Sequence, residues 1–291
     1  MWEECLANPS SSGAQLWNPQ FWVARNPDIK GIDDTYLSRH WRVGVCKVAS
    51  PENERTLQAS ILPSLVYSTD SVQLVYLAAS RANAIGAYYL AGVLNSLLVD
   101  FVIRLKVKLN LSLFFLETLP IPRSGSQLQR IAELSKALVW HPAYDRGLPN
   151  FGSIPTHIIS DVRERAQIRA EIDALVTDLY GLPEADFAYI LTTFPLLDRD
   201  QPALSGEPKS FITRDLALLE LFKLRRIAPP QDVVAFFAAA GAEIGGVTGP
   251  VRDLAERVRL ATELGAVAYV PSGRGTGRDD TDREDRETVE D

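Results

Sequence analysis

The chain has 291 residues, 46% hydrophobic and 23% charged, and a net charge of −7. These are ordinary values for a soluble globular protein with a real core, and the length allows one large domain or two smaller ones. Cys5 and Cys46, with His40, His141 and His157, match no metal-ligand spacing and form no disulfide framework, which excludes a zinc module and points to a reducing cytoplasm.

The charge is unevenly spread. Residues 1–150 hold 14 Lys/Arg against 12 Asp/Glu, residues 151–271 hold 12 against 17, and residues 272–291 hold 4 against 8. The acidity therefore sits in the second half. The mildly basic first half is compatible with nucleic acid but does not require it. The start, MWEECLANPSSS, lacks a basic region followed by an apolar one, so no signal peptide is expected.

In chain order, residues 1–38 are rich in Asn, Pro, Ser, Gly and Trp and read as loops with at most one short strand. From His40, WRVGVCKVA alternates charged and apolar residues, with Arg42 and Lys47 on one side and Val43, Val45 and Val48 mostly on the other. That period of two predicts a half-buried strand. The turn signal SPEN leads to a second strand over residues 55–62, ended by Pro63, and residues 72–78 form a third.

Residues 82–99 carry no charge, a length that borders on a membrane span. Asn83, Gly86, Gly92, Asn95 and Ser96 interrupt it, and Asp100 and Arg104 continue the same periodicity. A long, buried helix is expected instead, with Leu90, Val93, Leu94, Leu97, Leu98, Phe101, Val102 and Leu105 on one face. Lys106, Lys108 and Asn110 follow at its end, and residues 111–119 read as a strand stopped by Pro120 and Pro122.

Residues 127–139 are amphipathic, and 141–155 form a Pro/Gly-rich linker. A strong helix is predicted over 161–179, with Gly181 as its C-cap glycine. Shorter helices follow over 184–193, from an N-cap at Thr213, over 231–240 and over 250–264. Residues 272–291 have one apolar residue, Val289, and read as a disordered acidic tail. The expected fold is α+β: a mixed domain over 1–140 built around the long helix, the linker, and a helical region over 156–271.

Three blocks carry a family resemblance. They are WRVGVCKVASPENERTLQASILP at 41–63, residues 90–122 with Leu94-Asn95-Ser96 and Leu119-Pro120-Ile121-Pro122, and RAEIDALVTDLYGLPEADFAYILTTFP at 169–195. In this order they resemble the C-terminal target-recognition region of adenine-specific DNA methyltransferases of the type IIG restriction–modification kind. The resemblance implies double-stranded DNA as ligand and S-adenosylmethionine as cofactor of the complete enzyme. It also implies a methyltransferase catalytic domain, encoded upstream or on another chain, as partner. The family's catalytic Asn/Asp-Pro-Pro-Tyr/Phe is absent: the pairs Asn8-Pro9, Asn18-Pro19 and Asn26-Pro27 do not continue as Pro-Tyr or Pro-Phe. Gly245-Gly246 lacks a preceding strand and reads as a turn, and the family's Asp…Glu-x-Lys nuclease motif is missing. No catalytic or cofactor-binding residue is therefore expected on this chain.

DNA recognition needs Lys/Arg for phosphates and Arg, Lys, Asn or Gln for base edges. Arg104, Lys106, Lys108 and Asn110 offer both, and their alternation would align them on an extended segment. Arg42, Asn53 and Arg55 are the further candidates, from the first strand and the turn after it. Glu171 and Asp173 are read as the solvated face of their helix. The rival readings are a free-standing, non-catalytic module that binds DNA or docks a methylase, and a truncated gene product with exposed core.

Overall fold

The computed structural model describes residues 42–62, 68, 70–75, 84–123, 125–139, 159–242 and 246–270. The expectations for residues 1–38, for the linker and for the tail lie outside these. Within them the chain is α+β: a small antiparallel sheet followed by helices.

The sheet has the order β2-β1-β3, from β1 (Arg42–Cys46), β2 (Ala59–Leu62) and β3 (Val72–Val75). Both neighbours are antiparallel, with Val43 opposite Ile61 on one side and Val75 on the other. As the central strand β1 is covered on both faces, so Arg42 is buried along with Val43 and Val45. The half-buried reading of β1 is thus corrected, because alternation marks a face but does not say whether the other face stays open. A Cβ at Gly44 would stand 2.7 Å from Leu62 Cδ1 and 2.9 Å from Val72 Cγ1. The glycine lets side chains of both neighbours close over the strand. β2 begins only at Ala59; residues 55–57 run instead along the start of a helix.

The long helix is two helices, α1 (Ala84–Leu94) and α2 (Leu97–Arg104), bent by 60° at Asn95-Ser96. Ser96 caps α2: its Oγ accepts from Val99 N at 3.3 Å and donates to Val93 O at 2.7 Å. Asn95 leaves the helix and pairs with β2. Its Nδ2 donates to Ala59 O at 2.8 Å and its Oδ1 accepts from Ala59 N at 3.0 Å. Both side chains compete with the helical backbone for its own groups, which is why the break falls there.

No single helix among the described residues is long and apolar enough to cross a membrane. The bent pair meets the test by length and composition only.

Residues 111–119 are not a strand. One antiparallel bridge joins Asn110 to Val48, and Leu113–Glu117 is a short helix, α3. A four-residue apolar run has no decisive period, and here Phe115 N bonds back to Ser112 O and winds it up. The helix α4 (Leu128–Val139) crosses α1 at Gly92, where a Cβ would come within 2.8 Å of Ile131 Cγ2.

The remaining helices follow the expected order: α5 (Val162–Leu179), α6 (Glu184–Thr192), α7 (Ile212–Arg225), α8 (Val233–Ala239) and α9 (Leu254–Glu263). Asp161, Asp232 and Asp253 cap α5, α8 and α9 with their carboxylates. Gly181 follows α5 with φ +67°; Gly181 N bonds to Asp178 O and Leu182 N to Thr177 O, closing the helix end. Thr213 lies inside α7 rather than at its cap, and its N–H donates to the Asp198 carboxylate at 2.7 Å. One buried apolar cluster runs from Val43 and Ile61 through Tyr88, Leu97 and Ile131 to Leu175, Leu218 and Leu254.

Candidate nucleic-acid interface

Two segments, 47–54 and 104–111, lie side by side at the C-terminal end of α2. Ala49 N donates to Leu109 O at 3.1 Å and Leu111 N to Lys47 O at 2.8 Å, the two bonds that flank the Val48–Asn110 bridge. Val107 and Leu111 are buried, so the intervening turn is anchored from below. Lys106 Nζ donates to Thr118 Oγ1 at 3.0 Å, and that hydroxyl donates to Phe115 O at 2.8 Å. The turn is thereby tied to the end of α3.

Seven candidates separate into three groups. Lys106, Lys108, Asn110 and Asn53 are exposed, and this edge brings them together. Arg104 is half-buried and already engaged. Its Nη1 donates to Pro51 O at 2.9 Å, its Nη2 to Asn53 O at 3.0 Å and Glu54 O at 3.2 Å, and its guanidinium stacks 4.4 Å above the Phe194 ring. Burial lowers its pKa. Arg104 braces the loop that displays Asn53. The expected extended segment over 104–108 is corrected accordingly: Arg104 ends a helix and Lys106 begins a turn.

Arg42 and Arg55 are buried, which takes both out of the set that a ligand could reach. Arg55 Nε pairs with Asp100 Oδ2 at 2.6 Å, and its Nη2 donates to Asn95 O. Asp100 is fully buried and also accepts from Thr56 N at 3.2 Å and, more weakly, Leu57 N at 3.4 Å. An arginine beside a turn reads as a surface cation when its carboxylate partner lies 45 residues away in sequence; only the fold pairs them.

Sequence reasoning missed the polar cluster behind this edge. Asp173, placed by its spacing on a solvated face, is buried and accepts the first N–H of α2, from Leu97, at 2.6 Å. Burial pushes its carboxyl up to about 6; nearby Arg55 and the Leu97 hydrogen bond pull it down, and Asp100 adds to the rise. Tyr269 lies between Arg55 and Arg169, with their guanidinium carbons 5.4 and 5.1 Å from its ring centre. The available signal was that Asp173 shares a helix face with Ala166, Ala170 and Val176, too close to the apolar stripe for free solvation. Glu171, by contrast, is partly exposed and pairs with Arg130 at 2.7 Å.

A second buried network joins Arg257 to Asp215 at 2.8 Å and to Glu207, with Arg214 on the other oxygen of Asp215. Every charge in it has a partner, and it fastens α9 to α7. Among the described residues no group of three or more His, Cys, Asp or Glu could hold a metal ion.

What the edge can do follows from its parts. Two exposed ammonium groups and two exposed carboxamides sit on backbone held at both sides, an arrangement suited to a polyanion. The chain matches no family model, no curated protein and no solved structure.

Proposed function

We propose that this chain is the DNA target-recognition and helical region of a site-specific adenine DNA methyltransferase. The supporting observation is the edge itself: Lys106, Lys108, Asn110 and Asn53 stand exposed together, on segments pinned by the Val48–Asn110 bridge and by Arg104. Lysines supply phosphate contacts and carboxamides can read base edges. S-adenosylmethionine and the transfer step belong to a catalytic portion outside this chain, and no step of the transfer is assigned to it.

The reading predicts salt-dependent binding. The full chain, titrated against a mixed-sequence 30-base-pair duplex, should lose affinity steeply as salt rises. Lys106→Ala/Lys108→Ala should lower the affinity about tenfold at 0.1 M salt and flatten the slope by nearly two, since each phosphate contact contributes about 0.9. Unchanged affinity and slope in that variant would sink the reading.

A second reading, a non-catalytic module that docks a methylase, is favoured by one observation: residues 151–271 carry 17 Asp/Glu against 12 Lys/Arg. Weak, salt-insensitive DNA binding together with capture of a methyltransferase chain would support it instead.

A further inference from the structure

The same edge carries a feature that phosphate binding does not use. Leu105, Leu109, Phe114 and Val48 are 72, 71, 68 and 67% exposed, whereas most other large apolar side chains among the described residues are buried or half-buried. Their placement is regular. Ile103, Val107 and Leu111 point inward at every fourth residue and are buried, whereas Leu105 and Leu109 fall between them and face out. The backbone beneath them is fixed. Leu109 O is held by Ala49 N, Leu111 N by Lys47 O, and Phe115 meets the Phe114 ring edge-on at 5.9 Å between centres. These side chains therefore project from a pinned platform.

The lysines decide among occupants. Lys106 and Lys108 lie between Leu105 and Leu109 on one short turn, separated by the buried Val107. The core of a protein–protein interface is depleted in Lys, so a pair of ammonium groups set between apolar tips suits such a partner poorly. A nucleic-acid duplex offers a matching arrangement, with phosphates along its rims and apolar base faces between them. Proteins that bind the minor groove insert Phe or Leu between base steps in this way and kink the duplex.

We propose that Leu105, Leu109 and Phe114 form a wedge that enters a base step of bound duplex DNA, while Lys106 and Lys108 grip the phosphates on either side. The inference rests on the DNA reading above and deepens it. It makes the edge a device that bends its site, with Val48 flanking the wedge across the bridge.

The test uses the full chain and a 30-base-pair duplex carrying a fluorophore pair at its ends and 2-aminopurine at central steps. Wild-type protein should shorten the end-to-end distance and raise 2-aminopurine emission on binding. Leu109→Ser/Phe114→Ser should abolish both signals and lower affinity about tenfold, with the salt slope unchanged. The substituted positions are exposed, so the melting temperature of the variant should stay within a few degrees of wild type. Lys106→Gln/Lys108→Gln should flatten the salt slope by nearly two yet keep the bend at saturating protein. Straight, stacked DNA in the wild-type complex, or a bend that survives the Leu109/Phe114 change, overturns the wedge; if the lysine variant still weakens binding, the DNA reading stands without it. If neither pair alters DNA binding, and the apolar pair instead abolishes flotation with anionic phospholipid vesicles, both readings fall.

Discussion

Asp173 shows how a single residue can link the halves of the chain. Its carboxylate accepts the first N–H of α2 and lies in the field of Arg55, yet burial outweighs both and holds its pKa at about 6 against an ordinary 3.8. The folded state thus binds the proton more tightly than the unfolded chain. The stabilisation from that proton is fully present below about pH 4 and is lost as pH rises through about 6. Two units correspond to about 3 kcal/mol as an upper figure. Asp173→Asn keeps the acceptor for Leu97 N and removes the titration. Denaturant melts at pH 5 and pH 7.5 should show the wild type losing about 1–1.5 kcal/mol more than the variant across that range; parallel profiles would show that Asp173 keeps an ordinary pKa.

Arg55 and Arg104 carry the same lesson for site prediction. Residue type and turn position identify an arginine as a candidate contact, but its availability depends on what the fold brings against it. For Arg55 that is the Asp100 carboxylate, and for Arg104 three carbonyls and the Phe194 ring. Lys106 and Lys108 stay exposed because the turn that carries them is anchored through Val107 and Leu111, leaving the alternate positions outside.

At the scale of elements, the decisive event is the break between α1 and α2. A straight helix over the same residues would carry Asn95 past β2 and leave Asp100 without the N–H groups of Thr56 and Leu57. The break was legible in part, since Asn and Ser are poor interior helix residues and good caps. Its 60° angle was not, because that depends on Asp173 and Ala59 arriving from other segments.

The crossing of α1 and α4 depends on Gly92 in the same way. Gly92→Ala gains about 1 kcal/mol of helix propensity. The new methyl, however, would press on Ile131 and the Ser135 hydroxyl, and overpacking of this kind costs about 1–3 kcal/mol. Net destabilisation is expected in urea, with partial recovery in Gly92→Ala/Ser135→Ala. A more stable single variant would mean that the two helices part at little cost.

For the whole molecule, one buried cluster passes from the sheet through α1 and α4 into α5, α7 and α8. Elements that share a core open together, so amide exchange in α1 and α7 should report a common opening free energy. A gap larger than about 2 kcal/mol between them would mean that the sheet and the later helices unfold as separate units. The Arg257–Asp215–Glu207 network and the Arg55–Asp100 pair lie within or beside this core, where removing one partner strands a charge.

The sequence by itself determined the α+β order, the β1–β3 succession, the later helices with the Gly181 C-cap, and the exposed Lys106-Lys108-Asn110 run. These are local properties: periodicity, capping residues and turn chemistry act over a few neighbours. The tertiary structure alone decided the 60° angle of the bend, that Arg42, Arg55 and Asp173 are buried, and that Val48, Leu105, Leu109 and Phe114 are not. Each of those outcomes turns on a partner, or the lack of a cover, tens of residues away. Burial and pairing across such distances are set by packing, which no local period records.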